Sequence, residues 1–315
     1  METPSPILDT AAAAAATAAA AAAAAPRPPG RRSWLFTPGN HARRVEKVFQ
    51  SGADVAILDL EDAVAPEEKV GARGAVVAPL QRPRPCAGFV RVNGPDTAWC
   101  YGDLQAVVGP WLDGLVIPKT EAAQTLRTVD WLLTQLERER GLASGALEVV
   151  PLVETARGVL ALEEICAASP RVRRIAFGGG DYTLDLRLQW TAEEGELAYA
   201  RARLAHCSRV AGLEAPIDTV ELQIRDPERF RRAAARARQM GFQGKLCIHP
   251  DQVPLANEAF APTAAELAQA RAVVAAFAQA EAQGVASIQI DGLFVDAPVA
   301  AQARRVLALA GEGGR

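Results

Sequence analysis

The chain has 315 residues, is 50% hydrophobic and 23% charged, and carries 25 glycines and 21 prolines, which excludes a wholly disordered chain, a collagen-like repeat and a disulfide-rich miniprotein. Its 34 basic and 37 acidic side chains leave a net charge of −3, so no bulk field draws it to nucleic acid or an anionic membrane. The five cysteines (Cys86, Cys100, Cys166, Cys207 and Cys247) form no CxxC pair and are odd in number, which argues for free thiols and a reducing, cytoplasmic compartment.

Residues 1–30 read as a low-complexity, disordered tail. Positions 11–25 are alanine except Thr17, but no Lys or Arg precedes them, so the basic start of a signal peptide is missing. Pro26, Pro28, Pro29 and Gly30 stop any helix before the folded part. From there short apolar runs alternate with longer amphipathic ones. Eight runs read as buried parallel strands: Ser33–Thr37, Val55–Leu60, Phe89–Val92, Gly114–Pro118, Glu148–Val153, Arg174–Gly178, Ala215–Val220 and Lys245–His249. Helical patterns lie between them, among them His41–Ser51, Glu121–Arg140, Ala156–Ala168, Glu194–Gly212 and Asp226–Met240, with Gly52, Gly141, Gly212 and Gly241 at C-cap positions.

Eight β-then-α units between residues 31 and 260 predict a (β/α)8 TIM barrel. A doubly wound open sheet is the alternative, but the first βα turn, Thr37-Pro38-Gly39-Asn40, is no dinucleotide fingerprint and Gly178-Gly179-Gly180 follows the sixth strand. Residues 261–315 exceed the barrel and form a C-terminal helical/β appendage: a helix over Thr263–Gln283, a β segment over Val285–Val295 turning at Asp291-Gly292, and a last helix over Pro298–Ala310. Such an appendage could pack on its own barrel or on a neighbouring subunit.

In a barrel of this kind chemistry sits where strands end. The expected ends are Asp59-Leu60-Glu61-Asp62, Arg91-Val92-Asn93, Pro118-Lys119, Glu154-Thr155, Gly178-Gly179-Gly180-Asp181 and His249-Pro250. Glu154 and Asp181, from adjacent strands, are hard oxygen ligands suited to Mg2+; equally, Glu154 could cap the next helix and Asp181 pair with Arg187. Arg91 either pairs with Asp59 or Glu61 or awaits a substrate anion, and Lys119 is a weaker anion candidate. Lys69 and Arg73 read as solvated surface rather than phosphate ligands, and Trp34 as packing.

Taken in order, Arg32-Ser-Trp-Leu-Phe-Thr-Pro-Gly39, Leu58-Asp-Leu-Glu-Asp-Ala-Val64, Arg91-Val-Asn93, Pro118-Lys119, Glu154-Thr-Ala-Arg-Gly158, Asp181-Tyr182, Gly241-Phe-Gln-Gly-Lys245, Ile248-His-Pro250 and Asp291-Gly-Leu-Phe-Val-Asp-Ala-Pro298 resemble the citrate lyase beta subunit-like branch of the HpcH/HpaI aldolase superfamily. The resemblance implies a Mg2+-dependent carbon–carbon lyase that cleaves a 3-hydroxyacyl thioester, of citramalyl-, malyl- or citryl-CoA type, to an acyl-CoA and a 2-oxo acid. It implies Glu154 and Asp181 as metal ligands, Arg91 (with Glu154) as substrate-binding, Asp296 with Arg91 as catalytic, and a homo-oligomer, trimer or hexamer, in which Asp296 reaches a neighbouring site. Members related to citrate lyase often carry an acidic residue where this chain has Gly180, while Trp99 and Asp103-Leu104 look like the citrate lyase beta subunits proper. The alternatives are a citrate lyase beta subunit acting on citryl-acyl carrier protein to give oxaloacetate, a free-acid aldolase, and a non-catalytic acyl-CoA- and metal-binding barrel. No nucleic acid or membrane partner is expected.

Overall fold

The computed structural model describes residues 31–312. The tail read at 1–30 therefore lies outside the described residues. Two compact units divide the rest at Phe260.

The first unit is a closed barrel of eight parallel strands in sequential order: β1 (Ser33–Pro38), β2 (Val55–Asp59), β3 (Ala87–Arg91), β4 (Gly114–Ile117), β5 (Glu148–Val153), β6 (Ala176–Phe177), β7 (Ile217–Asp218) and β8 (Gly244–Cys247). Closure comes from β1 pairing with β8, Trp34 beside Leu246. The intervening helices are α1 (Ala42–Val48), α2 (Lys69–Leu80), α3 (Cys100–Val107), α4 (Ala123–Glu139), α5 (Ala156–Leu160), α6 (Leu162–Cys166), α7 (Gly179–Asp185), α8 (Ala198–Val210) and α9 (Pro227–Gln239), with α10 (Gln252–Ala259) after β8. Every residue of β2, β4 and β5 is buried, because one face meets the barrel interior and the other the helices; hence their continuous apolar sequences.

Inside, Trp34, Val55, Ile57, Phe89, Val116, Val150, Leu152, Ala176, Ile217 and Leu246 form one core, with Trp34 and Phe89 edge to face at 5.1 Å. Below them Arg174 bonds Glu148 at 2.8 Å and lies 5.5 Å from the Trp34 ring. The strand read over Arg174–Gly178 is regular only over Ala176–Phe177, although Ile217 still donates to the Ile175 carbonyl at 3.0 Å. The helix read over Ala156–Ala168 breaks at Ala161, so that Leu162, Ile165 and Cys166 are buried while Leu160 stays 79% exposed.

Between sheet and helices runs a buried charge network. Asp218 and Lys245 are register neighbours on β7 and β8. The Lys245 ammonium donates to Asp218 at 2.6 Å, and Arg201 of α8 donates to the same carboxylate at 2.8 and 3.1 Å. Arg201 also meets Glu194 at 2.9 Å. All four side chains are at most 1% exposed. These bonds anchor a strand only two residues long.

The second unit holds α11 (Ala264–Ala282), the antiparallel pair β9 (Ile288–Ile290) and β10 (Leu293–Val295), and α12 (Ala297–Leu309). Thr263 and Glu266 form a reciprocal capping box at the start of α11. Asp291 and Gly292 both take positive φ (48° and 81°), as a two-residue hairpin turn requires. Ala270, Val273, Phe277, Val295, Ala300 and Ala303 make this unit's core. Among the described residues no helix is long and apolar enough to cross a membrane.

Burial pushes the Asp218 carboxyl up, but Lys245 and Arg201 outweigh it and hold its pKa below the usual value. Its stabilisation is therefore complete above about pH 4, the unfolded value, and is lost as pH falls through the folded one. Asp218→Asn leaves the buried Lys245 without its carboxylate and removes one of the two acids that meet Arg201, and is expected to cost about 3–5 kcal/mol in urea unfolding at pH 7. The gap to the parent protein should narrow below about pH 4; a gap that stays constant with pH would contradict the assignment.

Candidate active site

Side chains alternate along a strand, so the residue two beyond the last core position again faces inward. Two beyond Ile57, Phe89 and Leu152 stand Asp59, Arg91 and Glu154. The next inward layer, at the carboxyl mouth of the barrel, is therefore charged.

Asp59 and Arg91 are register partners on β2 and β3. Arg91 donates through Nε and Nη2 to the two Asp59 oxygens at 2.8 and 2.6 Å, and its Nη1 lies 3.0 Å from Glu61 Oε2. The sequence left pairing and anion binding as alternatives; the pairing is made, by two hydrogen bonds to Asp59 and an ion pair with Glu61, and these do not use all five guanidinium N–H groups. The guanidinium also stacks 4.8 Å from the Phe36 ring, and its two carboxylates keep it firmly protonated despite burial.

The turn carrying Glu61 is held from beneath. Lys69 donates to the carbonyls of Leu60 (3.0 Å) and Glu61 (2.7 Å), and Asn93 donates to Leu60 (2.9 Å). Asp103 accepts from Asn93 at 2.7 Å and from Arg73 at 2.8 Å. Lys69 is 6% exposed, so the reading of Lys69 and Arg73 as solvated surface is corrected. Carbonyls at a strand end need donors, and Lys69 turns inward from α2 to supply them, while Arg73 donates to Asp103 and to the Trp99 carbonyl at 3.0 Å. Trp99 lies 5.3 Å beneath the Lys69 ammonium.

Glu154 follows β5 directly and is 2% exposed. Its Oε1 accepts the Lys119 backbone N–H at 2.7 Å. Burial first, and then the charge and hydrogen bond of neighbouring Asp181, push its pKa well above the usual value; Arg91 opposes the shift. Asp181 lies in the first turn of α7. Neither competing role for the two acids is found: Thr155 caps α5, accepting from Gly158 at 3.1 Å, and among the described residues Asp181 forms no ion pair with Arg187. Lys119 bridges the site's other acids, donating to Glu61 and to Asp62 (3.0 Å), which lowers the Asp62 pKa against the effect of burial.

Of the three glycines before Asp181, Gly178 is the one the site requires. A Cβ there would stand 2.3 Å from Glu154 Oε2, so the missing side chain is the space the carboxylate occupies. At Gly180 an added Cβ would meet only Trp190, at 3.9 Å. Asp296 belongs to the second unit, where it N-caps α12 and its Oδ1 accepts from Val299 at 3.2 Å.

Five acids (Asp59, Glu61, Asp62, Glu154 and Asp181) thus face two cations (Arg91 and Lys119). Fully ionised, the cluster has an excess of negative charge centred on the Glu154–Asp181 pair. Two adjacent carboxylates, one buried and held in a cradle that a methyl group would fill, suit a hard divalent cation such as Mg2+ that takes its other ligands from water or substrate.

A family model described as HpcH/HpaI aldolase/citrate lyase matches residues 32–250. The citrate lyase subunit beta of Leuconostoc mesenteroides subsp. cremoris is 37% identical over 282 residues, covering 89% of this chain and 93% of that protein. The L-malyl-CoA/beta-methylmalyl-CoA lyase of Cereibacter sphaeroides is 35% identical over 296 residues, with coverage of 86% and 92%. Among solved structures, the CitE protein of Mycobacterium tuberculosis in complex with magnesium, acetoacetate and coenzyme A is similar with a TM-score of 0.74 at 31% identity, covering 90% of this chain and 99% of that one.

Removing the Asp181 charge should weaken Mn2+ binding beyond the about 10–100-fold typical of outer-shell changes. Calorimetric titration of Asp181→Asn tests this, with the circular dichroism spectrum unchanged. Wild-type affinity in that variant would remove Asp181 from the cation site.

Proposed function

The chain belongs to the HpcH/HpaI aldolase/citrate lyase family, and from that premise we propose that it is a Mg2+-dependent carbon–carbon lyase splitting a 3-hydroxyacyl coenzyme A thioester into an acyl-CoA and a 2-oxo acid. The observation that carries the reading is the buried Glu154–Asp181 pair beside Arg91 at the barrel mouth. The malyl-CoA lyase relative and the coenzyme A complex of the CitE neighbour support the thioester.

In this reading Glu154 and Asp181 would hold the Mg2+, which would lower the pKa of a substrate hydroxyl and offset negative charge. Arg91 offers its remaining N–H groups to the substrate carboxylate or thioester oxygen. Asp59 and Glu61 fix the guanidinium beforehand, so little reorganisation accompanies the growth of charge. Asp296 of a neighbouring subunit, as the resemblance implies, accepts the hydroxyl proton as the oxo acid's C=O forms. The carbon–carbon electron pair passes into the thioester enolate, which Arg91 stabilises, and Asp296 returns the proton to carbon. Proton and electron pair are both accounted for, and no further reactant is needed. The same reading makes the chain a homo-oligomer of the cytoplasm, a setting supported by its five free cysteines.

A second reading, a citrate lyase beta subunit acting on citryl-acyl carrier protein, is favoured by the Leuconostoc relative. One assay separates the two. The purified protein with Mg2+ is offered citramalyl-CoA, malyl-CoA, citryl-CoA, citryl-acyl carrier protein and free citrate, and oxo-acid release is followed with and without chelator. Chelator-sensitive cleavage of one CoA ester is expected. Turnover of citryl-acyl carrier protein alone would establish the second reading, and silence on every thioester would overturn both.

Asp296→Asn separates chemistry from capping, because asparagine caps a helix as well as aspartate does. The variant should keep its melting temperature and lose about 10²–10⁴ in kcat. Full activity would remove Asp296 from acid–base work.

A further inference from the structure

Lys119 is one of four non-glycine residues with positive φ (46°) among those described. Left-handed backbone at a lysine persists only where its surroundings impose it. Here they do. The neighbouring Thr120 is fully buried, its N–H donates to Leu152 at 3.1 Å and its hydroxyl to Ile117 at 2.9 Å. Its carbonyl lies where a Cβ on Gly158 would stand, 2.7 Å away. The turn after β4 is thus gripped by β4, β5 and α5 together.

The strained conformation has a consequence for the site. At this turn the Lys119 amide donates to Glu154 Oε1 at 2.7 Å, and the positive φ sends the side chain the other way, so that the ammonium reaches Glu61 and Asp62. Glu61 in turn meets Arg91. One residue therefore touches both the acid pair and the acid that holds the arginine.

We infer that Lys119 is a positioning residue: its left-handed backbone fixes one oxygen of Glu154, so that the other is presented for a divalent cation, and its ammonium serves the Glu61–Asp62 side. Backbone and side chain make opposing demands. The conformation favours glycine; the two carboxylates require a cation. The presence of lysine despite the strain indicates that both contacts are used. The sequence pointed to the side chain, as an anion ligand, whereas here the ammonium is engaged by carboxylates and the amide reaches the site. This inference rests on the reading of Glu154 as a cation ligand.

The test compares Lys119→Gly with Lys119→Val. Both lack the ammonium. Glycine accepts the left-handed turn, and a β-branched residue resists it. Mn2+ affinity is measured by calorimetry on the full chain, beside melting temperature. The glycine variant is expected to bind Mn2+ within about threefold of wild type, and the valine variant about 10–100-fold more weakly, as for outer-shell partners of metal ligands. Should the valine variant not fold, Lys119→Ala, intermediate in its tolerance of positive φ, should fall between the two. Equal Mn2+ affinity in the glycine and the valine or alanine variants would overturn the inference, since a residue that merely shapes the turn would move melting temperature and leave the folded protein's affinity untouched. Absence of Mn2+ binding in the wild type would instead overturn the ligand reading of Glu154 on which it rests.

Discussion

Carboxylates crowded into a low-dielectric mouth repel one another, and the architecture around this site answers that repulsion. Arg91 and Lys119 neutralise part of the charge and are themselves pinned by it. The rest falls on Glu154, whose burial and proximity to Asp181 favour protonation when no cation is near. In the proposed reading a divalent ion would offset that load. The donors beneath the β2 turn belong to the same solution. Lys69, Asn93 and Arg73, with Asp103 between them, keep Asp59 and Glu61 from drifting off the guanidinium.

A second charged layer lies outside the barrel wall and obeys the same register logic. Asp218 and Lys245 face each other across adjacent strands as Asp59 and Arg91 do. In one case the pair lies under helices and is structural; in the other it opens toward the mouth. Which face of the strand a residue occupies decides between these roles more than its chemistry does.

Much of this was legible in sequence. Strands buried on both faces give apolar runs with sharp polar ends, so β2, β4 and β5 and the ends Asp59, Arg91 and Glu154 stand out. Direction was not legible. Lys69 on an amphipathic segment looks like any solvated lysine until the carbonyls it serves are in place. The short helix α7 begins within the three glycines that read as the end of the sixth strand. Length also misled at β6 and β7, where apolar runs continue past the last ladder bond because loop residues there are buried too. Lys119 was noticed for its charge, since sequence reports side chains and not the turn in which a backbone N–H meets a carboxylate.

Gly178 sets a limit on how this site can be altered. Every other amino acid carries a Cβ, and at this position that atom would occupy the space of Glu154 Oε2. A change at a residue with no functional group would thus act on the acid pair directly. Screens for altered substrate preference that confine themselves to polar side chains would pass over the position where the smallest change in volume has the largest lever. Two residues on, Gly180 faces nearly open space and would accept such a change. Two glycines of one short run thus separate what can be redesigned from what cannot.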